Sequence, residues 1–273
     1  MQQRPFGPTG VPVGVVGQGT WEMERDPVAA VAALRLGLDL GMTHIDTAEM
    51  YGGGRVEEIV GEAITARRDE VFLATKVLPT NATRRGTVEA CERSLKRLGT
   101  DYVDLLLLHW PGRYPLRETV AGFEELRAAG RIRFWGVSNF DTRQVESAAA
   151  AGDVACNQVL YHLEERTIEH GVLPACIRAG AALVGYSPFG QGYFPAGNPV
   201  LREVADAHGA TPGEVTLAFL LRVPGTFVIP KAVRPEHVEA NARAGDLVLT
   251  DEELAAIDRT FPVGRPRRGV PTL

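Results

Sequence analysis

The sequence predicts an α/β fold: a single (β/α)8 TIM barrel over residues 1–273, with a short N-terminal hairpin and extra C-terminal helices. Three observations point there. Short apolar, β-rich runs alternate with longer helical ones along the chain, the pattern of a parallel sheet covered by helices. Counting a first strand at "VGVVG" (13–17), there are eight such units, and eight suits closure into a barrel of about 250 residues. No linker rich in Pro, Gly or Ser divides them. An open doubly wound sheet with extra elements is the alternative topology.

Each element has its own signal. "PFGPTGVPVG" (5–14) places turn residues between short extended pieces and reads as a small hairpin capping the barrel floor. "THID" (43–46) reads as a strand end. In 56–64, Val56, Ile59, Val60, Ala63 and Ile64 share one helical face. "VFLATKV" (71–77) reads as a buried strand. Helix 84–98 carries Val88, Cys91, Leu95 and Leu98 at helical spacing and stops at Gly99. "YVDLLLLHW" (102–110) is an almost unbroken apolar run, as a strand covered on both faces requires. Helix 116–128, strand 131–140, the Ala-rich helix 141–151, strand 154–161 and helix 169–179 follow. "AALVGYSPFG" (181–190) reads as strand and loop. Helices 200–208 and 212–222 precede strand "TFVIPK" (226–231) and helix 235–243. A last helix near 251–260 opens on Thr250, Asp251 and Glu253, a good N-cap run.

Composition narrows the function. The apolar share of 45% and charged share of 23% are those of a globular protein. A net charge of −5 without a dense basic stripe argues against nucleic acid as a partner. Arg265, Arg267 and Arg268, set among prolines, read as a solvated tail. No apolar run reaches the roughly 18 residues of a membrane helix, and the N-terminus lacks the apolar core of a secretory signal. Cys91, Cys156 and Cys176 are odd in number and scattered, as free thiols in a reducing compartment would be. A cytoplasmic protein, monomeric or weakly self-associating, is expected.

In parallel barrels the chemistry gathers at the C-terminal ends of strands. Those ends offer Asp46, Lys76, His109, Ser138, Asn139, Gln158, Tyr186 and Lys231, with Tyr51 in the loop beyond Asp46. A free phenol is a poor acid near neutrality. A lysine cation beside it would lower its pKa, an aspartate would hold the lysine, and a histidine would orient a carbonyl oxygen. Such a set suits carbonyl reduction, where hydride addition leaves an alkoxide that needs a proton. Each residue alone has a plainer reading: a cap or turn former for Asp46, a solvated strand end for Lys76, a core histidine for His109, a turn aromatic for Tyr51. Their joint placement on one rim carries the argument.

Across essentially its whole length the chain resembles the aldo-keto reductases. The matching stretches are "GQGTW" (17–21), "IDTAEMYGGG" (45–54), "ATKV" (74–77), "DYVDLLLLHWP" (101–111), "GRIRFWGVSNF" (130–140), "NQVLYH" (157–162), "YSPFG" (186–190) and "IPKAVRPEHVEAN" (229–241). The resemblance is greatest to a bacterial, methylglyoxal-reductase-like branch. It implies NADPH-dependent reduction of small aldehydes and ketones, through a tetrad of Asp46, Tyr51, Lys76 and His109 with Tyr51 as proton donor. It implies that Ser138, Asn139 and Gln158 hold the cofactor's carboxamide, that Tyr186 stacks on the nicotinamide, and that Gly19 and Thr20 lie near its ribose. Ser187, Phe189 and Gly190 would follow the pyrophosphate; Lys231, with Arg234 or His237, would meet the 2′-phosphate, and Asn241 the adenine, with Ala232 among the cofactor-binding residues. Trp21, Met50 and Trp110 would wall the substrate pocket.

Departures from the family pattern at Ala232, His237 and Ala240 leave NADH as a second cofactor candidate, because histidine is mostly neutral at pH 7. The short tail and the short "PGRYPL" segment suggest an open pocket for small substrates. A non-catalytic, NADPH-holding barrel that reports redox state to a partner is the alternative function. "GVVGQG" (14–19) lacks the order and context of a dinucleotide fingerprint, and no ligand spacing supports a metal site.

Overall fold

The computed structural model describes residues 1–272. Its first element is the anticipated hairpin: β1 (Gln3–Pro5) and β2 (Pro12–Gly14) pair antiparallel, with Arg4 opposite Val13. Between them Phe6 turns its ring inward, fully buried, with centroids 4.9 Å from both Phe72 and Phe227 and 5.7 Å from His44. All three lie at the starts of barrel strands, so the hairpin plugs the floor. Gly7 permits the approach: its φ is +53°, and a Cβ there would sit 2.3 Å from the Ala155 carbonyl oxygen.

Eight parallel strands form the main sheet. In chain order they are β3 (Gln18–Gly19), β4 (His44–Asp46), β5 (Phe72–Val77), β6 (Val103–Leu108), β7 (Ile132–Ser138), β8 (Cys156–Leu160), β9 (Ala182–Tyr186) and β10 (Thr226–Ile229). Each pairs with its sequence neighbour. The ring closes where Val16 bridges Val228, Gly17 N donates to Val228 O at 2.8 Å and Gly19 N donates to Pro230 O at 3.1 Å. The first strand therefore departs from the expected 13–17. Residues 12–14 belong to the hairpin, and the first barrel strand is the two-residue β3, because the "VGVVG" run must serve the floor before it reaches the barrel wall.

The helices between strands are α1 (Pro27–Asp39), α2 (Arg55–Ile64), α3 (Arg84–Leu98), α4 (Leu116–Ala128), α5 (Thr142–Ala151), α6 (Val172–Ala179), and the pair α7 (Pro199–His208) and α8 (Pro212–Leu220). Helices α9 (Pro235–Ala244) and α10 (Asp251–Thr260) follow the last strand. The sequence reading passed over α1, whose signal is an Asp-Pro start: the Asp26 side chain accepts from Ala29 N and Pro27 opens the helix. The expected caps elsewhere form, with Gly99 left-handed after α3 and a reciprocal Thr250–Glu253 box opening α10.

Strands β5 and β6 are buried at every position, as strands covered by helices outside and by the barrel core inside must be. The three cysteines are free and buried, and burial pushes the Cys91 and Cys176 thiols up to about 12. The tail arginines are exposed as expected, but the tail is not detached. Arg267 pairs with Glu165 at 3.0 Å, Gly264 O contacts His170 Nε2 at 3.0 Å, and Thr272 reaches the rim of the barrel mouth. The pocket is therefore less open than the short tail suggested. No helix among the described residues is long and apolar enough to cross a membrane.

Candidate active site

At the C-terminal mouth lies a cavity of 1170 Å³, lined among others by Trp21, Met50, Tyr51, His109 and Trp110 and by Ser187, Phe189, Gln191 and Lys231. Strand alternation aims the polar side chains into it. On β5, Thr75 faces the helices while Lys76 faces the barrel axis, where it is fully buried. Its ammonium donates to Asp46 Oδ1 at 2.5 Å and to the Thr47 carbonyl at 2.8 Å, and lies 3.4 Å from the Tyr51 hydroxyl. Asp46, at the end of β4, accepts a second bond from Gln158 Nε2 at 2.8 Å, and its carbonyl accepts from Thr20 Oγ1 at 2.8 Å. The ends of four strands, β3, β4, β5 and β8, are thus tied to one carboxylate–ammonium pair.

Burial works against the Lys76 charge, yet Asp46 and Tyr51 outweigh it and raise the ammonium's pKa, so it stays protonated. The phenol behaves otherwise. Burial raises the Tyr51 pKa, and although Lys76 pulls it down as anticipated, the net direction is up. The expected lowering therefore holds for that one interaction and not for the whole site. The main reason is burial, which outweighs the pull of Lys76, and the Asp46 carboxylate adds to the rise. Tyr51 is therefore a protonated phenol near neutral pH.

His109 ends β6. Its backbone is fixed at both polar atoms: N donates to Val77 O at 3.0 Å and O accepts from Asn139 Nδ2 at 3.0 Å. Burial, reinforced by the Lys76 charge, holds the imidazole down to about 2, so it is neutral. Its ring lies edge-on to Tyr51 at 5.9 Å and tilts against Trp110 at 4.8 Å, while Trp21 meets Tyr51 edge-on at 5.1 Å. Trp21 and Trp110 stay 47% and 37% exposed, so both indoles are walls of the mouth and not core packing.

The next strand ends are cross-linked. Ser138 Oγ donates to Gln158 O at 2.9 Å, Asn139 Nδ2 also donates to Ser138 Oγ at 3.1 Å, and Tyr186 OH donates to Asn139 Oδ1 at 2.9 Å. Both ends of the Asn139 amide are therefore engaged within the protein, and Gln158 spends its amide nitrogen on Asp46. Asn139, Ser187, Gln191 and Glu22 are four non-glycine residues with left-handed φ, and all four line the cavity. Backbone held in that region marks places that the surrounding structure over-determines.

Of the residues singled out in the sequence, Gly19, Thr20, Trp21, Asp46, Met50, Tyr51, His109, Trp110, Ser138, Asn139, Gln158, Tyr186, Ser187, Phe189 and Lys231 line this one cavity. Lys76 lies directly behind it. Gly190 lies beside it, where its Cα faces the His162 ring. Ala232, Arg234, His237 and Asn241 stand beyond the cavity, in the loop before α9 and along that helix. There the Arg234 guanidinium donates to His237 Nε2 at 2.5 Å, and Asn241 is buried. The sequence reading missed Glu22, Pro111, Pro188, Gln191, Gly192, Ile229, Pro230 and Thr272 as lining residues. A signal existed for one group: "GQG" at 190–192 can follow tight, left-handed backbone. None existed for Thr272, which arrives through the path of the tail.

The fit for a nicotinamide dinucleotide rests on this geometry. The cavity holds 1170 Å³, it is lined by the exposed cation Lys231 and by an aromatic-walled polar set, and Gly19 lets β3 approach β10, since a Cβ there would sit 2.6 Å from the Ile229 carbonyl oxygen. The class of protein is an oxidoreductase on a parallel barrel. The chain belongs to the aldo/keto reductase family, whose profile matches residues 15–261. It is 45% identical over 273 residues to the methylglyoxal reductase YeaE of Escherichia coli (strain K12), covering 96% of each chain. Its fold matches that of an aldo-keto reductase from Klebsiella pneumoniae in complex with NADPH, with a TM-score of 0.94, 43% identity and coverage of 100% of this chain and 99% of that one. A second structure, an aldo/keto reductase from Klebsiella pneumoniae in complex with NADP and acetate, gives a TM-score of 0.95 at 42% identity, with complete coverage of both chains.

Proposed function

We propose that the chain, acting as one barrel domain, reduces small aldehydes and ketones to alcohols with NADPH, methylglyoxal and related dicarbonyls among them. The single observation that carries this reading is the Lys76 ammonium, clamped by Asp46 at 2.5 Å and set 3.4 Å from a Tyr51 hydroxyl that faces the cavity. The similarity to a methylglyoxal reductase supports the substrate class, and the two NADP(H)-bound relatives support the cofactor.

Bound NADPH would supply the hydride. Lys231 would meet its 2′-phosphate with a charge-assisted bond, while Ser138, Gln158 and Tyr186 would hold and cover the nicotinamide end. Asn139, whose amide is engaged on both sides, would act by fixing Tyr186 and the His109 backbone. Neutral His109 would orient the substrate's carbonyl oxygen toward the Tyr51 hydroxyl. As hydride adds to the carbonyl carbon, the oxygen becomes an alkoxide and takes the Tyr51 proton. The Lys76 cation then stabilises the phenolate that remains, and Asp46 keeps that cation in place. Two half-exposed indoles suit a small substrate that enters from solvent.

The test is turnover of purified protein with NADPH and with NADH against small aldehydes, dicarbonyls and sugars. Carbonyl-dependent loss of NADPH absorbance is expected. Tight NADPH binding, seen as quenching of tryptophan fluorescence, without turnover of any carbonyl would favour the non-catalytic reading instead.

A further inference from the structure

Behind the mouth lies a second buried ion pair that the proton transfer above does not use. Glu57, on the first turn of α2, is 0% exposed. Its Oε1 accepts from Thr75 Oγ1 at 2.6 Å, and its Oε2 accepts from Arg97 Nε at 2.6 Å. Arg97 in turn donates to Ser94 Oγ at 3.1 Å. Thr75 is the outward-facing residue immediately before the inward-facing Lys76, so Glu57 grips β5 from outside at the level where Lys76 works inside.

The other end of this connection is Tyr51. Three glycines run from Tyr51 into α2, and all are left-handed, with φ of +55°, +62° and +97° at Gly52, Gly53 and Gly54. A chain without side chains cannot lock its own shape, so the turn is held from outside. The Glu24 side chain covers Gly52, whose Cβ would lie 3.0 Å from Glu24 Cγ. Arg97 covers Gly54, whose Cβ would lie 2.7 Å from Arg97 Cδ and 2.8 Å from Nε. One guanidinium therefore packs on the Tyr51 turn and binds the carboxylate that grips β5. The contact it governs is sensitive, because a 3.4 Å separation is already at the weak end of hydrogen bonding. A buried ion pair is a poor stabiliser compared with apolar packing of the same volume, so stability alone does not account for this one.

We propose that Glu57, held by Arg97, is a positioning residue: it fixes the Tyr51 turn against β5 and thereby sets the spacing between the Tyr51 hydroxyl and the Lys76 ammonium. The inference rests on Tyr51 as proton donor.

The experiment compares Glu57→Leu, Glu57→Gln and Arg97→Met with wild type and Tyr51→Phe, using methylglyoxal and NADPH. It records kcat, KM, the dissociation constant for NADPH, thermal stability, and the isotope effect with NADPH deuterated at the transferred position. Misplacement of a catalytic group by a fraction of an ångström to 1 Å costs up to about a hundredfold in rate. Glu57→Leu is therefore expected to lower kcat at least about tenfold, to raise the isotope effect, and to leave NADPH affinity within about twofold. Glu57→Gln, whose Oε1 can still accept from Arg97 while its Nε2 donates to Thr75 Oγ1, is expected to recover most of the rate. If Glu57→Leu does not fold, Arg97→Met carries the same expectation. Unchanged kcat and isotope effect, with only a lower melting temperature, would overturn the proposal. An active wild type with an inactive Tyr51→Phe beside such a result would sink this inference alone; an inactive wild type, or a fully active Tyr51→Phe, would sink the reading on which it rests.

Discussion

The two ends of the barrel each bury a histidine, and the contrast between them is instructive. At the floor, His44 is wholly enclosed, edge-on to Phe6 and Phe72, and neither ring nitrogen has a partner. Burial holds its pKa down to about 4. At the mouth, His109 is held down to about 2 by the same cause, helped by Lys76. By pKa alone the two are alike. They differ in company: His44 sits among phenyl rings under a plug, whereas His109 faces a cavity beside a phenol and an ammonium. A strongly shifted group therefore marks a candidate site only when a cavity and convergent polar partners accompany it.

The comparison can be broken by moving function to the floor or structure to the mouth. The largest effect is expected at the mouth. Tyr51→Phe should lower kcat by about 10² to 10⁴, the usual contribution of a positioned general acid, while NADPH affinity and melting temperature stay near those of wild type. Methylglyoxal reduction at the wild-type rate by that variant would remove Tyr51 from its role. The floor should respond in the opposite way. Phe6→Ala empties the plug between Phe72 and Phe227 and should cost about 3–5 kcal/mol of stability, read from denaturant unfolding, with kcat of the folded fraction unchanged.

Acid should act through the floor as well. The folded-state pKa of His44 lies below the ordinary value of 6.5, so the unfolded chain takes the proton first as pH falls. Stability is thus unaffected above about pH 7, declines between about 6.5 and 4, and loses roughly 3 kcal/mol from this group. His44→Leu should flatten that decline in unfolding curves measured across the window, although His109 retains a slope of the same sign. A wild-type and variant decline of equal steepness would argue against His44. The smallest effect is expected at Lys231: Lys231→Ala should raise KM for NADPH about tenfold with little change for NADH. Equal effects on both cofactors would show that Lys231 does not read the 2′-phosphate.

Much of this was legible along the chain. The alternation of β5, β6 and their helices could be read because a strand buried on both faces must be apolar throughout, and because Gly99 and Thr250 carry their own stop and start signals. The residues at strand ends could be placed on one rim because parallel strands all point the same way. Other features were not legible for reasons just as specific. Helix α1 was passed over despite its Asp-Pro start. The first barrel strand shrank to Gln18–Gly19 because the preceding run was claimed by the hairpin. The Arg267 pairing is illegible in the sequence because no local pattern announces that Glu165, far away along the chain, lies 3.0 Å from it.

The sequence by itself determined the barrel and which strand-end groups stand at its mouth, because those follow from periodicity and chain direction. Only the tertiary structure decided how those groups share their charges: that Lys76 gives its short bonds to Asp46 and Thr47, that the phenol's pKa moves up and not down, that the tail reaches the cavity, and that Glu57 and Arg97 brace the Tyr51 turn from behind. The physical reason is that desolvation and hydrogen-bond competition depend on distances of tenths of an ångström between residues far apart in the chain, and no local pattern encodes them.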